Sequence, residues 1–140
     1  MLTELSITEA RRNISSLYDK VFNAFQPGII NRKSSEQVLA LRADLQKMIL
    51  SNFSLQPKII SEADHSVTLA LDQLEIYVNG STLEQAVKAL IDDLKFYAQD
   101  YVKRSQLFLN APNRRSHFPY VLRVRLCDND DEIRDLLELE

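Results

Sequence analysis

Leu5 and Ile7 alternate with polar neighbours, the pattern of a short half-buried strand, and the period then changes. From Ala10 onward apolar residues recur at Ile14, Leu17, Tyr18, Val21 and Phe25, a 3.6-residue rhythm that predicts an amphipathic helix with Arg11, Arg12, Ser15 and Asp19 outward. Thr8 stands where an N-cap belongs, with Glu9 in the first turn, but Ser6 and Glu9 also fit a capping box, so two starts are open. Pro27 and Gly28 stop the helix. Residues 28–31 and 37–41 then read as two strands joined across Arg32-Lys33-Ser34-Ser35, a hairpin with two cations at its tip. A second helix opens at Asp44, carries Leu45, Met48 and Ile49, and loses its pattern in residues 51–57.

Beyond that joint, residues 58–62, 67–71 and 74–78 read as three strands of an antiparallel meander. Asn79-Gly80 turns the chain, and Ser81-Thr82-Leu83-Glu84 reads as a capping box. The longest helix follows, with Leu83, Ala86, Val87, Leu90, Leu94, Tyr97, Ala98 and Tyr101 in register, and it should fray near Leu109 before Asn110-Ala111-Pro112-Asn113. Residues 118–126 alternate apolar with basic and predict a strand with one wet face. Asp128-Asn129-Asp130-Asp131 supplies an acidic start for a last helix carrying Ile133, Leu136 and Leu137. The expected class is α+β, with a β-α-β-β-α head over residues 1–52 and, over residues 58–140, a small antiparallel sheet packed on a long helix.

A strand, a helix opening Thr8-Glu9-Ala10-Arg11 with Asn13 and Ile14, a hairpin through Ile30, Asn31, Arg32 and Val38, and a helix starting at Asp44-Leu45: in that order the first third of the chain resembles the Phd/YefM family of antitoxin repressors. The resemblance implies a homodimer on operator DNA, with contacts from Arg11 and Asn13 at the helix start and Arg32 and Lys33 at the hairpin. Where members usually carry a glycine near the hairpin tip, this chain has Ser34-Ser35. Further on, three strands followed by Gly80-Ser81-Thr82-Leu83-Glu84-Gln85-Ala86 and another strand look like the body of a HicB-type antitoxin. Together they imply an antitoxin of a type II toxin–antitoxin system that neutralises a cognate protein toxin and represses its own operon. A dimeric repressor or scaffold without a toxin partner is the alternative.

Composition changes this picture little: of 140 residues, 45% are hydrophobic and 26% charged, as in an ordinary globular protein. Charge is uneven. Through Asn52 there are seven Lys and Arg against five Asp and Glu, a balance of +2; beyond it there are ten against fifteen, a balance of −5. That asymmetry suits a head that touches DNA and a body that meets a basic partner. No export signal or membrane-spanning run is visible and Cys127 is alone, so the expectation is a cytoplasmic protein in a reducing compartment.

The DNA candidates are Thr8, Arg11, Arg12, Asn13, Arg32 and Lys33, because cations at a helix start and a hairpin tip reach phosphates while Asn13 reaches a base edge. Asn113-Arg114-Arg115-Ser116-His117 is a second basic patch that reads as a solvated loop, with His117 buried or capped beside Phe118-Pro119. Asp64, His65, Asp72, Asp92 and Asp93 have no metal-ligand spacing, so neither an enzyme nor a cofactor is expected. Phe96, Tyr97, Tyr101 and Phe108 could stack on single strands but suit core packing better. For the toxin, Asp131 and Asp135 around Ile133, Leu136 and Leu137 would complement a basic surface, unless that helix only packs on its own domain.

Overall fold

The structure, a computed structural model, describes residues 1–33 and 35–139. It divides into two compact units, Met1–Ile49 and Leu50–Glu140, each with its own sheet.

In the first unit β1 (Thr3–Ser6) leads into α1 (Ile7–Arg12) and α2 (Ile14–Phe22), followed by β2 (Gly28–Arg32), β3 (Glu36–Ala40) and α3 (Ala43–Leu50). Ser6, not Thr8, is the N-cap of α1: its Oγ accepts from the Glu9 backbone N–H at 3.1 Å, and its hydroxyl donates to the Glu9 carboxylate at 3.1 Å. Ile7 therefore belongs to the helix rather than to the strand. The expected single helix is broken at Asn13, whose φ of −123° and ψ of 42° leave the helical region, although its N–H still donates to the Glu9 carbonyl at 3.0 Å. A short polar side chain that competes for backbone hydrogen bonds makes asparagine a weak helix interior residue.

The α1–α2 crossover lets β1 lie parallel to β2, with Thr3 opposite Gly28 and Ser6 opposite Asn31, while β3 runs antiparallel on the other side, with Ile30 opposite Val38. A β-carbon at Gly28 would stand 3.8 Å from Leu17 Cδ1, which identifies the sheet face that α2 covers. Ser34 of the expected Ser34-Ser35 turn lies outside the described residues. Among the described residues of Met1–Ile49, Ala10 and Leu17 are the buried apolar side chains, while Leu50 at the end of α3 is buried in the second unit's span.

In the second unit β4 (Lys58–Ser61), β5 (Val67–Leu71) and β6 (Ile76–Gly80) form the expected antiparallel meander. The third strand starts two residues late, because Asp72–Leu74 close a 3-10 turn and Glu75 takes a left-handed φ of 56°. α4 (Leu83–Lys103) begins at Thr82, whose side chain accepts from the Gln85 N–H at 3.2 Å. The sheet comes so close that a β-carbon at Gly80 would fall 2.5 Å from the Ala86 backbone nitrogen, so only glycine fits.

α4 bears Ala86, Val87, Leu90, Leu94, Ala98 and Tyr101 on its buried stripe and gives way at Arg104 to α5 (Ser105–Asn110). The segment expected to be a strand is a helix, α6 (Phe118–Arg125). Pro119 sits in its first turn, where its missing N–H costs nothing, and Val121 and Val124, one helical turn apart, are both buried in the core that α4 organises. Alternation in so short a run fits either period, and packing decided it. α7 (Asp130–Leu136) is capped by Asn129, whose Oδ1 accepts from the Glu132 N–H at 2.9 Å. Residues 51–57 belong to this unit: Leu55 is fully buried, the Phe53 carbonyl accepts from Arg123 at 2.9 Å and the Ser54 carbonyl from Gln73 at 3.0 Å.

Candidate nucleic-acid and partner interfaces

Because Ser6 pairs with Asn31, the start of α1 emerges beside the end of β2 that carries Arg32 and Lys33. Thr8, Arg11 and Arg12 stand at i, i+3 and i+4 and so share one face of α1, and all three are exposed, as are Asn13, Arg32 and Lys33. Among the described residues none of Arg11, Arg12, Arg32 and Lys33 is held in an ion pair. The Asn13 side chain makes no capping hydrogen bond. Lys33 turns the chain at a φ of 50°. The register thus brings Thr8 and the two hairpin cations to one end of the sheet, with Arg11 and Arg12 at the far end of the same short helix. Unpaired cations around a short helix and a hairpin tip can neutralise phosphates.

Arg42 is the cation that the sequence reading did not single out. Its guanidinium lies 4.2 Å from the Phe22 ring centroid and 4.1 Å from that of Phe25, while Nη1 donates to the Phe22 carbonyl at 2.7 Å and Nε to Asp44 Oδ1 at 2.8 Å. It is committed to closing the end of α2 onto the start of α3. Phe22 and Phe25 three residues apart, ahead of Pro27-Gly28, were the available signal, but their partner lies across the hairpin.

In the second unit the proposed toxin residues separate by burial. Ile133 and Leu137 are enclosed in the core, Leu136 is half-buried against it, and Asp131 and Asp135 are exposed. As the unit is folded, α7 turns its carboxylates outward and its apolar stripe inward. Arg134 reaches back to α4 and donates to Glu84 at 2.5 and 3.2 Å, holding that carboxyl below its ordinary range. Lys95 pairs with Asp130 at 2.8 Å.

His117 is buried and shares a hydrogen bond of 2.6 Å with the Tyr97 hydroxyl. Arg114 Nη1 stands 3.5 Å from the same hydroxyl as donor, so the O–H is left to donate to Nδ1 of a neutral imidazole. Burial first, and then the Arg114 charge, push the His117 pKa down. Tyr97, Tyr101 and Phe108 meet edge-on or stacked around it, with centroids 4.7 to 5.9 Å apart, as a core cluster. Among the described residues no three His, Cys, Asp or Glu side chains gather as a metal site, and no helix is long and apolar enough to cross a membrane. Asp64 is occupied by Ser66 and Asp72 by Lys58 at 2.8 Å.

The family model described as antitoxin of toxin–antitoxin, RelE/RelB, TA system, PHD-like, matches residues 1–139. This chain belongs to that family. The match runs through both units, so the second unit is part of the antitoxin. A solved structure from Syntrophomonas wolfei subsp. wolfei, described as an antitoxin part of a proposed toxin/antitoxin system, is similar to this antitoxin at 30% identity over 96% of each chain, with a TM-score of 0.86. No curated protein matches the chain significantly. The expected HicB-type order of elements is not what the second unit shows, since helix α6 stands where a further strand was expected.

Proposed function

We propose that this antitoxin is a cytoplasmic, two-part protein in which the first unit dimerises and represses its own operon by binding operator DNA, while the second binds and inactivates a cognate toxin. The observation that carries the DNA reading is the set of exposed, unpaired cations Arg11, Arg12, Arg32 and Lys33 with Thr8 and Asn13 around one short helix and one hairpin tip. Phosphate contacts from these cations would fix the register on the duplex, and Asn13 and Thr8 would reach base edges.

Dimerisation is supported by what the first unit leaves uncovered. Ile14, Tyr18, Phe25, Val38, Leu39, Met48 and Ile49 are each more than half exposed, against two buried apolar side chains, Ala10 and Leu17, among the described residues of Met1–Ile49. A unit this small needs a larger core than that, and a second copy would supply it. Toxin binding is assigned to the second unit because it holds the acidic excess, including Asp131 and Asp135. A gel-shift titration of the antitoxin on its own promoter fragment tests the DNA assignment: loss of the shift on Arg11→Ala and Arg32→Ala supports it, and an unchanged shift refutes it.

A further inference from the structure

Tyr97, Tyr101 and Phe108 belong to the core, but Phe96 does not: it is 74% exposed, off the buried stripe of α4. On β6, Tyr77 is likewise 58% exposed. The two rings line one open groove of about 430 Å³ together with Ile76, Tyr97 and the carboxylates Glu75 and Asp93. Two of these lining residues, Tyr97 and Glu75, already hold a guanidinium from the same unit. Arg114 stands 5.9 Å from the Tyr97 ring centroid with Nη1 3.7 Å from Glu75 Oε2, a guanidinium between an aromatic ring and a carboxylate. The groove holds the same kinds of group again in Tyr77, Phe96 and Asp93, and among the described residues Asp93 has no ion-pair partner. Lys58, near Tyr77, is taken by Asp72 at 2.8 Å.

From this geometry we propose that the Tyr77–Phe96–Asp93 groove is a docking site for the cognate toxin and receives an arginine from a basic segment of it. The inference rests on the reading of the chain as a toxin-binding antitoxin and names the surface used. The occupant must bring an apolar stem for two exposed rings and a positive head for a carboxylate, which arginine does with one side chain. Its planar guanidinium also stacks on rings better than the lysine ammonium does. Charge disfavours nucleic acid, because Asp93 would repel phosphates, and the net −5 of the chain beyond Asn52 draws a basic protein toward the groove.

The test places a photo-crosslinking phenylalanine analogue at position 96 of the full-length antitoxin, and in a second protein at Leu107, which is 60% exposed on α5. Each is co-expressed with the toxin encoded beside it. The expected result is a crosslink to the toxin from position 96 and not from 107, mapping to a toxin peptide that contains arginine. Phe96→Ala and Asp93→Lys should each weaken the purified complex about tenfold, as loss of an interface anchor does, with unchanged circular dichroism. If wild type binds the toxin but position 96 crosslinks only to another copy of this chain, or to nothing, the groove is not the site while the antitoxin reading stands. If wild type forms no complex with the neighbouring gene product, the toxin-binding reading fails and this inference falls with it. Should either substitution unfold the protein, the crosslink alone decides.

Discussion

Arg42 donates to the backbone carbonyl of Phe22 at 2.7 Å and lays its guanidinium over the ring of the same residue, 4.2 Å from the centroid. One side chain thereby caps the carbonyl end of α2, covers an aromatic ring and ties both to the start of α3. A charged hydrogen bond to a helix end and a partly desolvated cation–π contact together are worth about 2 kcal/mol. Arg42→Ala should lower the stability of the first unit by that amount in denaturant titrations, and Arg42→Lys should recover less than half of it, since an ammonium cannot make the fork and the stack together.

The dimer should form through the apolar residues of the first unit. Light scattering at tens of micromolar, a concentration chosen for weak dimers, should give twice the chain mass, and Tyr18→Glu should give the monomer, because it buries a carboxylate in the proposed interface.

DNA binding should weaken steeply with salt, as each phosphate contact releases condensed counterions. Removing Arg11 or Arg32 should lower affinity for operator and unrelated DNA alike and flatten the salt dependence by about one contact each. Asn13→Ala should act differently, reducing the preference for operator over other DNA by about 1–3 kcal/mol.

Gly80→Ala should destabilise the second unit by about 1–3 kcal/mol, because its β-carbon would fall 2.5 Å from the Ala86 nitrogen at the start of α4 and neither backbone can move freely. A thermal melt resolves a change of that size.

His117 gives the second unit a pH dependence. Its folded pKa lies below the ordinary histidine value, so the unfolded chain binds the proton more readily and stability is lost as pH falls below about 6.5. Urea midpoints should therefore drop from pH 7 to pH 5 in wild type, and this part of the drop should vanish in His117→Gln.

The parts of the fold that were legible in the sequence are those in which one pattern had one reading. α4 held its stripe from Ala86 to Tyr101, with Leu83 alone left exposed at its start, and the hairpin around Arg32 and Lys33 followed a clear break at Pro27-Gly28. Residues 118–126 were not legible, because a short run with apolar groups at 118, 120–122, 124 and 126 serves two periods, and α4, far off in sequence, chose between them. The break at Asn13 escaped for a related reason: a single asparagine interrupts a helix only when its surroundings allow it. In the candidate sites, cations could be counted but their commitments could not. Arg42 is spent on Phe22 and Phe25, whereas Arg11 and Arg32 are exposed and among the described residues make no ion pair, and only the fold separates them. Leu136 lies half-buried while Ile133 and Leu137 are enclosed, a division that the helical stripe of α7 did not disclose.

The division of labour between the two units is tested most directly by one full-length variant, Arg11→Ala/Arg32→Ala/Lys33→Ala, co-expressed with the toxin encoded beside it in cells that carry a reporter behind the antitoxin's own promoter. The account predicts normal growth, because toxin neutralisation lies in the second unit, together with a derepressed reporter, because the operator contacts are gone. Growth arrest with a folded variant, or a reporter still fully repressed, would contradict it.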